Sequence, residues 1–183
     1  ELESVNLMLK SLEIAGIKNI TLSLGHAAFT SSVLEPFKKL GREIFSDIEI
    51  ALSKKSKSDL DTLISDSYEN KQSLISLCDM YGEIDIIQSA KESFSYLEAT
   101  QNFMEDLESL IDKLIHKSGL TLHVDLGEVQ GFKYHNGVVF SAYVDSAAYV
   151  LAKGGRYDGL RKQSDRDRPA VGFDLDLVSV SNL

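Results

Sequence analysis

The sequence predicts an α+β fold: a mainly antiparallel sheet with flanking helices and a helical insertion. Three observations carry that reading. The chain opens with a helix, a glycine and a strand; its middle is a run of short amphipathic segments; its last third is β-rich, with a hairpin whose strands no helix separates.

In chain order, Leu2, Val5, Met8, Leu9 and Leu12 recur at helical spacing over Leu2 to Ala15, and Gly16 supplies a stop. Ile20, Leu22 and Leu24 then alternate with Thr21 and Ser23 as a half-buried strand, which Gly25-His26 ends. Ser32 followed by Glu35 reads as a capping box, and Ser58 with Asp61 as a second helix start. Leu74, Leu77 and Met80-Tyr81 make a further amphipathic piece closed by Gly82. The strongest helix runs from Thr100 to Lys117, with Phe103, Leu107, Leu110, Ile111 and Leu114 on one stripe. His116 in its last turn reads as a cation favoured by the helix dipole. Leu122, Val124 and Leu126 form the next strand, and Val138–Val144 and Ala148–Ala152 flank Asp145-Ser146 as a hairpin. Val171–Leu175 is the last strand. Three stretches result: residues 1–31 start the core, 32–96 are a helical insertion, and 97–183 hold a helix and the sheet.

Composition narrows the chemistry. With 183 residues the chain can bury one real core. No apolar run is long enough to span a membrane, no secretory signal is visible, and the expected compartment is the cytoplasm. One cysteine, Cys78, excludes an internal disulfide and any multi-cysteine zinc site, and its apolar neighbours mark it as core. A net charge of −9 disfavours a phosphate backbone as a main partner. The basic cluster Arg161-Lys162, Arg166 and Arg168 is interrupted by Asp165 and Asp167 and reads as a solvated loop.

Two glycine-containing segments concentrate polar and aromatic groups. Gly131-Phe132-Lys133-Tyr134-His135-Asn136-Gly137 leads into the first hairpin strand, and Gly154-Gly155-Arg156-Tyr157-Asp158-Gly159 follows the second. The hairpin brings both to the same end of the sheet. Paired glycines allow close approach to the backbone. Aromatic walls with a few hydrogen-bonding groups suit a small polar ligand. The bland alternative is a bulge and a loop, with Arg156 and Asp158 paired at the surface.

Gly154 to Leu160, after an apolar strand, resembles the second histidine-specific signature of histidyl-tRNA synthetases. Gly131 to Phe140 resembles the first signature, and Pro169-Ala170-Val171-Gly172-Phe173 resembles the start of motif 3 of class II aminoacyl-tRNA synthetases. The resemblance implies the class II sheet, and two departures from it bear on activity. Where the synthetase's first signature opens with an arginine, the chain has Gln130. Where its motif 3 ends in Gly-Leu-Glu-Arg, the chain reads Asp176-Leu177-Val178-Ser179. Neither residue can stabilise the charge that develops on phosphorus during adenylation.

A non-synthetase branch, the regulatory subunits of ATP phosphoribosyltransferase, resembles nearly the whole chain. Leu22-Ser23-Leu24-Gly25-His26 is similar to its strand ending in Leu-Gly-His. Ala51-Leu52-Ser53-Lys54-Lys55 with Asp59-Leu60 is similar to its helical region. Tyr134-His135-Asn136-Gly137-Val138-Val139-Phe140 is similar to its form of the signature, with Asn136 for threonine.

That resemblance implies no catalytic residue, no cofactor and no metal, assembly with a short-form catalytic subunit, and histidine as the allosteric ligand. It implies a histidine site at Gln130, Tyr134, His135, Gly154, Gly155, Arg156, Tyr157 and Asp158. The alternatives are a divergent histidyl-tRNA synthetase and a synthetase-like amino-acid-binding module. Class II motifs 1 and 2 are not in the sequence, so the chain is expected to carry a fragment of the full domain with an open sheet edge.

Overall fold

The computed structural model describes residues 1–129, 134–158 and 168–183. Helix α1 (Leu2–Ile14) buries Val5, Met8 and Leu12 along one stripe. It ends as the glycine predicts: Gly16 takes φ +88°, its N–H donates to the Glu13 carbonyl at 2.9 Å, and the Ile17 N–H donates to Leu12 at 3.0 Å. These paired bonds satisfy carbonyls that the helix end would otherwise leave open.

Strand β1 (Ile20–His26) follows and runs directly into α2 (Ala27–Leu34). The helix start expected at Ser32 is corrected here. Ser32 lies inside α2, and its hydroxyl donates back to the Ala28 carbonyl at 2.8 Å. The true cap is His26, whose Nδ1 accepts from the Phe29 N–H at 3.4 Å. A 3-10 turn (Glu35–Leu40) leads into α3 (Arg42–Ser53), α4 (Lys57–Leu63) and α5 (Lys71–Leu77). The second expected cap moves two residues, since Ser56 rather than Ser58 accepts at the start of α4. Tyr81–Gly82 is a two-residue strand, β2, and not the end of a helix. Then come α6 (Ile86–Ser93), α7 (Thr100–Leu114) and β3 (Leu120–Asp125).

Phe29, Phe37, Phe94, Ile48, Leu52, Leu60 and Leu74 are fully buried, in one core with Leu22, Leu24 and Phe140 of the sheet. Lys55 ties the helices to the sheet: its ammonium lies 2.6 Å from Asp125 Oδ1, which also accepts from the Gly127 N–H at 2.9 Å.

The hairpin strands are β4 (Val138–Val144) and β5 (Ala147–Arg156), and β6 (Val171–Leu175) precedes the short helix α8 (Leu177–Ser181). Neither Asp145 nor Ser146 takes positive φ, so the turn lacks the usual two-residue hairpin geometry, and a register shift lies between Ala142 and Val144. β5 is longer than expected, since Gly154 and Gly155 lie within it rather than after it.

Among the described residues the sheet has six strands in the order β2-β3-β1-β4-β5-β6. Only the β1–β3 pair is parallel. Cross-strand partners share a face. One face is apolar: Leu24, Phe140, Gly154 and Phe173 make one row across it. The other is polar, with His123, Ser23, Ser141, Lys153 and Asp174 in one row. Next to that row lie Gly25, Val139, Gly155 and Gly172. β6 forms one edge of the sheet.

Candidate functional site

Three of the four residues in the row Gly25–Val139–Gly155–Gly172 have no side chain, so the polar face carries a nearly bare band of backbone at one end of the sheet. The band is enforced from above. A Cβ on Gly155 would stand 2.6 Å from His135 Cδ2, and one on Gly172 would stand 3.0 Å from the Tyr157 hydroxyl. His135 and Tyr157 thus lean over this band and meet edge to face, with ring centroids 6.1 Å apart.

The two signature segments are stitched together. The Asn136 N–H donates to the Arg156 carbonyl at 3.0 Å. The Asn136 side-chain amide accepts from the Asp158 N–H at 3.0 Å and donates to the Asp158 carbonyl at 3.3 Å. An amide can serve both backbone groups at once, and threonine, the residue of the resembling family, has no such pair of arms. The Tyr157 N–H donates to the Ala170 carbonyl at 2.8 Å, and Asp158 Oδ1 accepts from the Ala170 N–H at 3.0 Å.

Of the residues predicted to form a site, the structure brings His135, Gly155 and Tyr157 together. Tyr134 stands at the outer end of its segment, 70% exposed. Gly154 faces the opposite way: its missing Cβ leaves room for the Phe140 ring at 2.7 Å and the Gly172 carbonyl at 2.3 Å. Arg156 also turns to that side, 2.7 Å from Asp158 and 3.2 Å from Glu1. This contact holds the Asp158 carboxyl below its usual range, aided by the Ala170 N–H. Arg156 and Asp158 are a strut beneath the aromatic pair. Gln130, Gly131, Phe132 and Lys133 lie outside the described residues, as do Gly159, Leu160 and the basic cluster from Arg161 to Arg166.

Sequence reasoning missed His26. It is 2% exposed, packs on Phe103 with centroids 4.7 Å apart, and lines a cavity of about 380 Å³ with Asp106 and Arg156. Because Nδ1 accepts from the Phe29 N–H, the imidazole proton sits on Nε2, 3.5 Å from Asp106 Oδ2. Protonation would charge a buried ring and cost it the cap. Burial accordingly pushes its pKa below the ordinary value, against the opposing pull of Asp106. The stabilisation from neutral His26 is therefore full above about pH 6.5, the unfolded value, and is lost as pH falls below it. Replacing His26 by asparagine keeps a capping oxygen and removes the titration. The drop in denaturation midpoint between pH 7.5 and 5.5 is expected to shrink in H26N; an equal drop in both proteins would rule this out.

A family model described as histidyl-tRNA synthetase matches residues 1–180. The chain belongs to the histidyl-tRNA synthetase family. Within that family it is similar to the ATP phosphoribosyltransferase regulatory subunit of Polynucleobacter necessarius subsp. necessarius (strain STIR1). The two are 33% identical over all of this chain, which covers 48% of that protein. The chain thus spans about half the length of the curated relatives it matches. The protein from Bacillus halodurans C described as an ATP phosphoribosyltransferase regulatory subunit/histidyl-tRNA synthetase superposes with a TM-score of 0.81 at 22% identity, over 99% of this chain and 48% of that one. The ATP phosphoribosyl transferase (HisG:HisZ) complex from Thermotoga maritima superposes with a TM-score of 0.64 at 13% identity, over 95% of this chain and 60% of that one. At those identities the superpositions show the fold, the class II synthetase type expected from the signatures.

Proposed function

We propose that the protein is a non-catalytic regulatory subunit of ATP phosphoribosyltransferase, which joins a short-form catalytic subunit and binds histidine for feedback control of the first step of histidine biosynthesis. The observation that carries the reading is the 33% identity to such regulatory subunits across the whole chain. In this reading residues 1–31 and 97–183 belong to a synthetase-like core, and residues 32–96 are a helical insertion. The convergence of His135, Gly155 and Tyr157 at one end of the sheet supports placing the histidine site there. Gly154, Arg156 and Asp158 act as support, Tyr134 stands at the outer end, and the resemblance adds Gln130 to the proposed site.

Ser179 supports the absence of adenylation. In the first turn of α8 its N–H and hydroxyl both donate to the Asp176 carboxylate, where the resemblance would put a cation for ATP. No cofactor or metal enters the reading. No helix among the described residues is long and apolar enough to cross a membrane, and the proposed compartment is the cytoplasm.

The test is reconstitution of the full-length protein with a short-form catalytic subunit. Phosphoribosyl transfer to ATP should depend on both chains, and histidine should inhibit it. In the reconstituted complex, Tyr157→Ala should weaken histidine inhibition at least about 10-fold by removing a ring contact and the wall behind it. An inhibition constant that does not move would remove Tyr157 from the site. The family model's own description favours a second reading, a divergent histidyl-tRNA synthetase. Histidine-dependent exchange of pyrophosphate into ATP by the full-length protein would establish that reading and overturn the first.

A further inference from the structure

His135 and Tyr157 stand on two segments that the sheet brings together. Beyond the last registered pair of β4 and β5, Val139 with Gly155, Asn136 carries the ladder onward. Its backbone N–H donates to the Arg156 carbonyl at 3.0 Å. Its side-chain amide then does for Asp158 what a facing antiparallel residue would do: it accepts from the N–H at 3.0 Å and donates to the carbonyl at 3.3 Å. A peptide N–H only donates and a carbonyl only accepts, so these partners fix which way the amide points. The side chain stands in for a strand residue just before β4 begins.

Tyr157 lies between the groups that Asn136 holds. The peptide before it is held at both poles: the Arg156 carbonyl accepts from Asn136, and the Tyr157 N–H donates to the Ala170 carbonyl at 2.8 Å. The peptide after it is held through the Asp158 N–H. Peptide units are planar, so fixing both of them leaves the backbone of Tyr157 little freedom, and its ring is then aimed by its rotamer. On the other segment Asn136 is the chain neighbour of His135. One residue therefore sets the backbone under both rings, which meet edge to face with centroids 6.1 Å apart. The Arg156–Asp158 ion pair does a different job. It secures the Asp158 carboxylate, whose other oxygen accepts from the Ala170 N–H.

We propose that Asn136 is a positioning residue: it sets the angle between His135 and Tyr157, and through Tyr157 it sets the affinity for the bound ligand. The first part stands on this geometry alone. The second rests on the reading of the protein as a histidine-binding regulator and deepens it. Where the resembling family has threonine, one hydroxyl oxygen must serve the second segment from a single point; the amide holds it at two. Asn136 is itself exposed, so water competes for its partners and its loss should cost little global stability.

The experiment uses the full-length protein and two readouts. In NMR spectra of the free protein, the ring current of Tyr157 displaces the His135 imidazole resonances, and Tyr157→Ala gives their position without it. Asn136→Ala should move them toward that position, and Asn136→Thr part of the way, with melting of both variants within about 4 °C of wild type. In calorimetry, histidine should bind Asn136→Ala about 5- to 10-fold more weakly. In a Tyr157→Ala background the same substitution should change the affinity less than about twofold, because a residue that acts through a ring has nothing to act on once the ring is gone. His135 resonances that keep their wild-type positions in Asn136→Ala overturn the proposal. A binding penalty of equal size with and without the Tyr157 ring, or moved resonances with unchanged histidine affinity, overturns the link to the ligand. If the resonances move and wild type binds no histidine, the positioning role stands and the histidine reading falls.

Discussion

Replacing Gly154 by alanine is expected to break the junction between β5 and β6. The added methyl would lie 2.3 Å from the Gly172 carbonyl oxygen, 2.7 Å from the Phe140 ring and 2.7 Å from the Phe173 Cβ. None of these neighbours is the free end of a flexible chain: the first is backbone, and Phe140 is 1% exposed. Forced overpacking of this kind costs about 3 kcal/mol. The gain from restricting the unfolded chain, below about 1 kcal/mol, does not offset it. For a domain whose urea slope is about 2 kcal/mol per molar, the midpoint should fall by about 1.5 M. A midpoint within about 0.3 M of wild type would mean that β6 is not held against β5 as described.

The neighbouring substitution should have the opposite profile. Gly155→Ala adds its methyl to the polar face, 2.6 Å from His135 Cδ2 and 2.9 Å from Val139 Cγ1. The imidazole can swing away, so the stability cost is smaller, about 1 kcal/mol. The swing takes the imidazole out of its place against Tyr157, and histidine binding by the full-length protein should fall at least about 10-fold. Calorimetry and urea denaturation on the same sample separate the two effects. Full-strength histidine binding by a well-folded G155A protein would show that the ligand does not use this band.

These two residues also mark where sequence reasoning reached its limit. Side-by-side glycines read as loop because glycine weakens a strand, yet they belong to β5. They sit there because Phe140 crowds one face and His135 the other. The hairpin was legible because two apolar runs, Val138–Val144 and Ala148–Ala152, flank Asp145-Ser146 with no helix between them. The short helices were legible from their apolar spacing, but their starts were not. A serine three residues before a glutamate suggested a cap at Ser32, while the actual cap is a histidine at a strand end, outside the usual capping residues. The parallel β1–β3 pair carries no local signal, because its partners lie far apart in the chain.

The position of β1 has a kinetic consequence. It lies between β3 and β4, pairing Leu24 with both Val124 and Phe140, and every helix from α2 to α7 is threaded between it and those partners. The β4–β5 hairpin can form from neighbours in sequence, on a timescale of about microseconds. Seating β1 requires closing a loop of roughly a hundred residues, and fold topologies rich in such closures are slow to form. Until β1 arrives, β3 and β4 have no strand between them and their apolar side chains lack a neighbour. Refolding should therefore be limited by the entry of this strand, and the interval before it is when the chain is most exposed to aggregation.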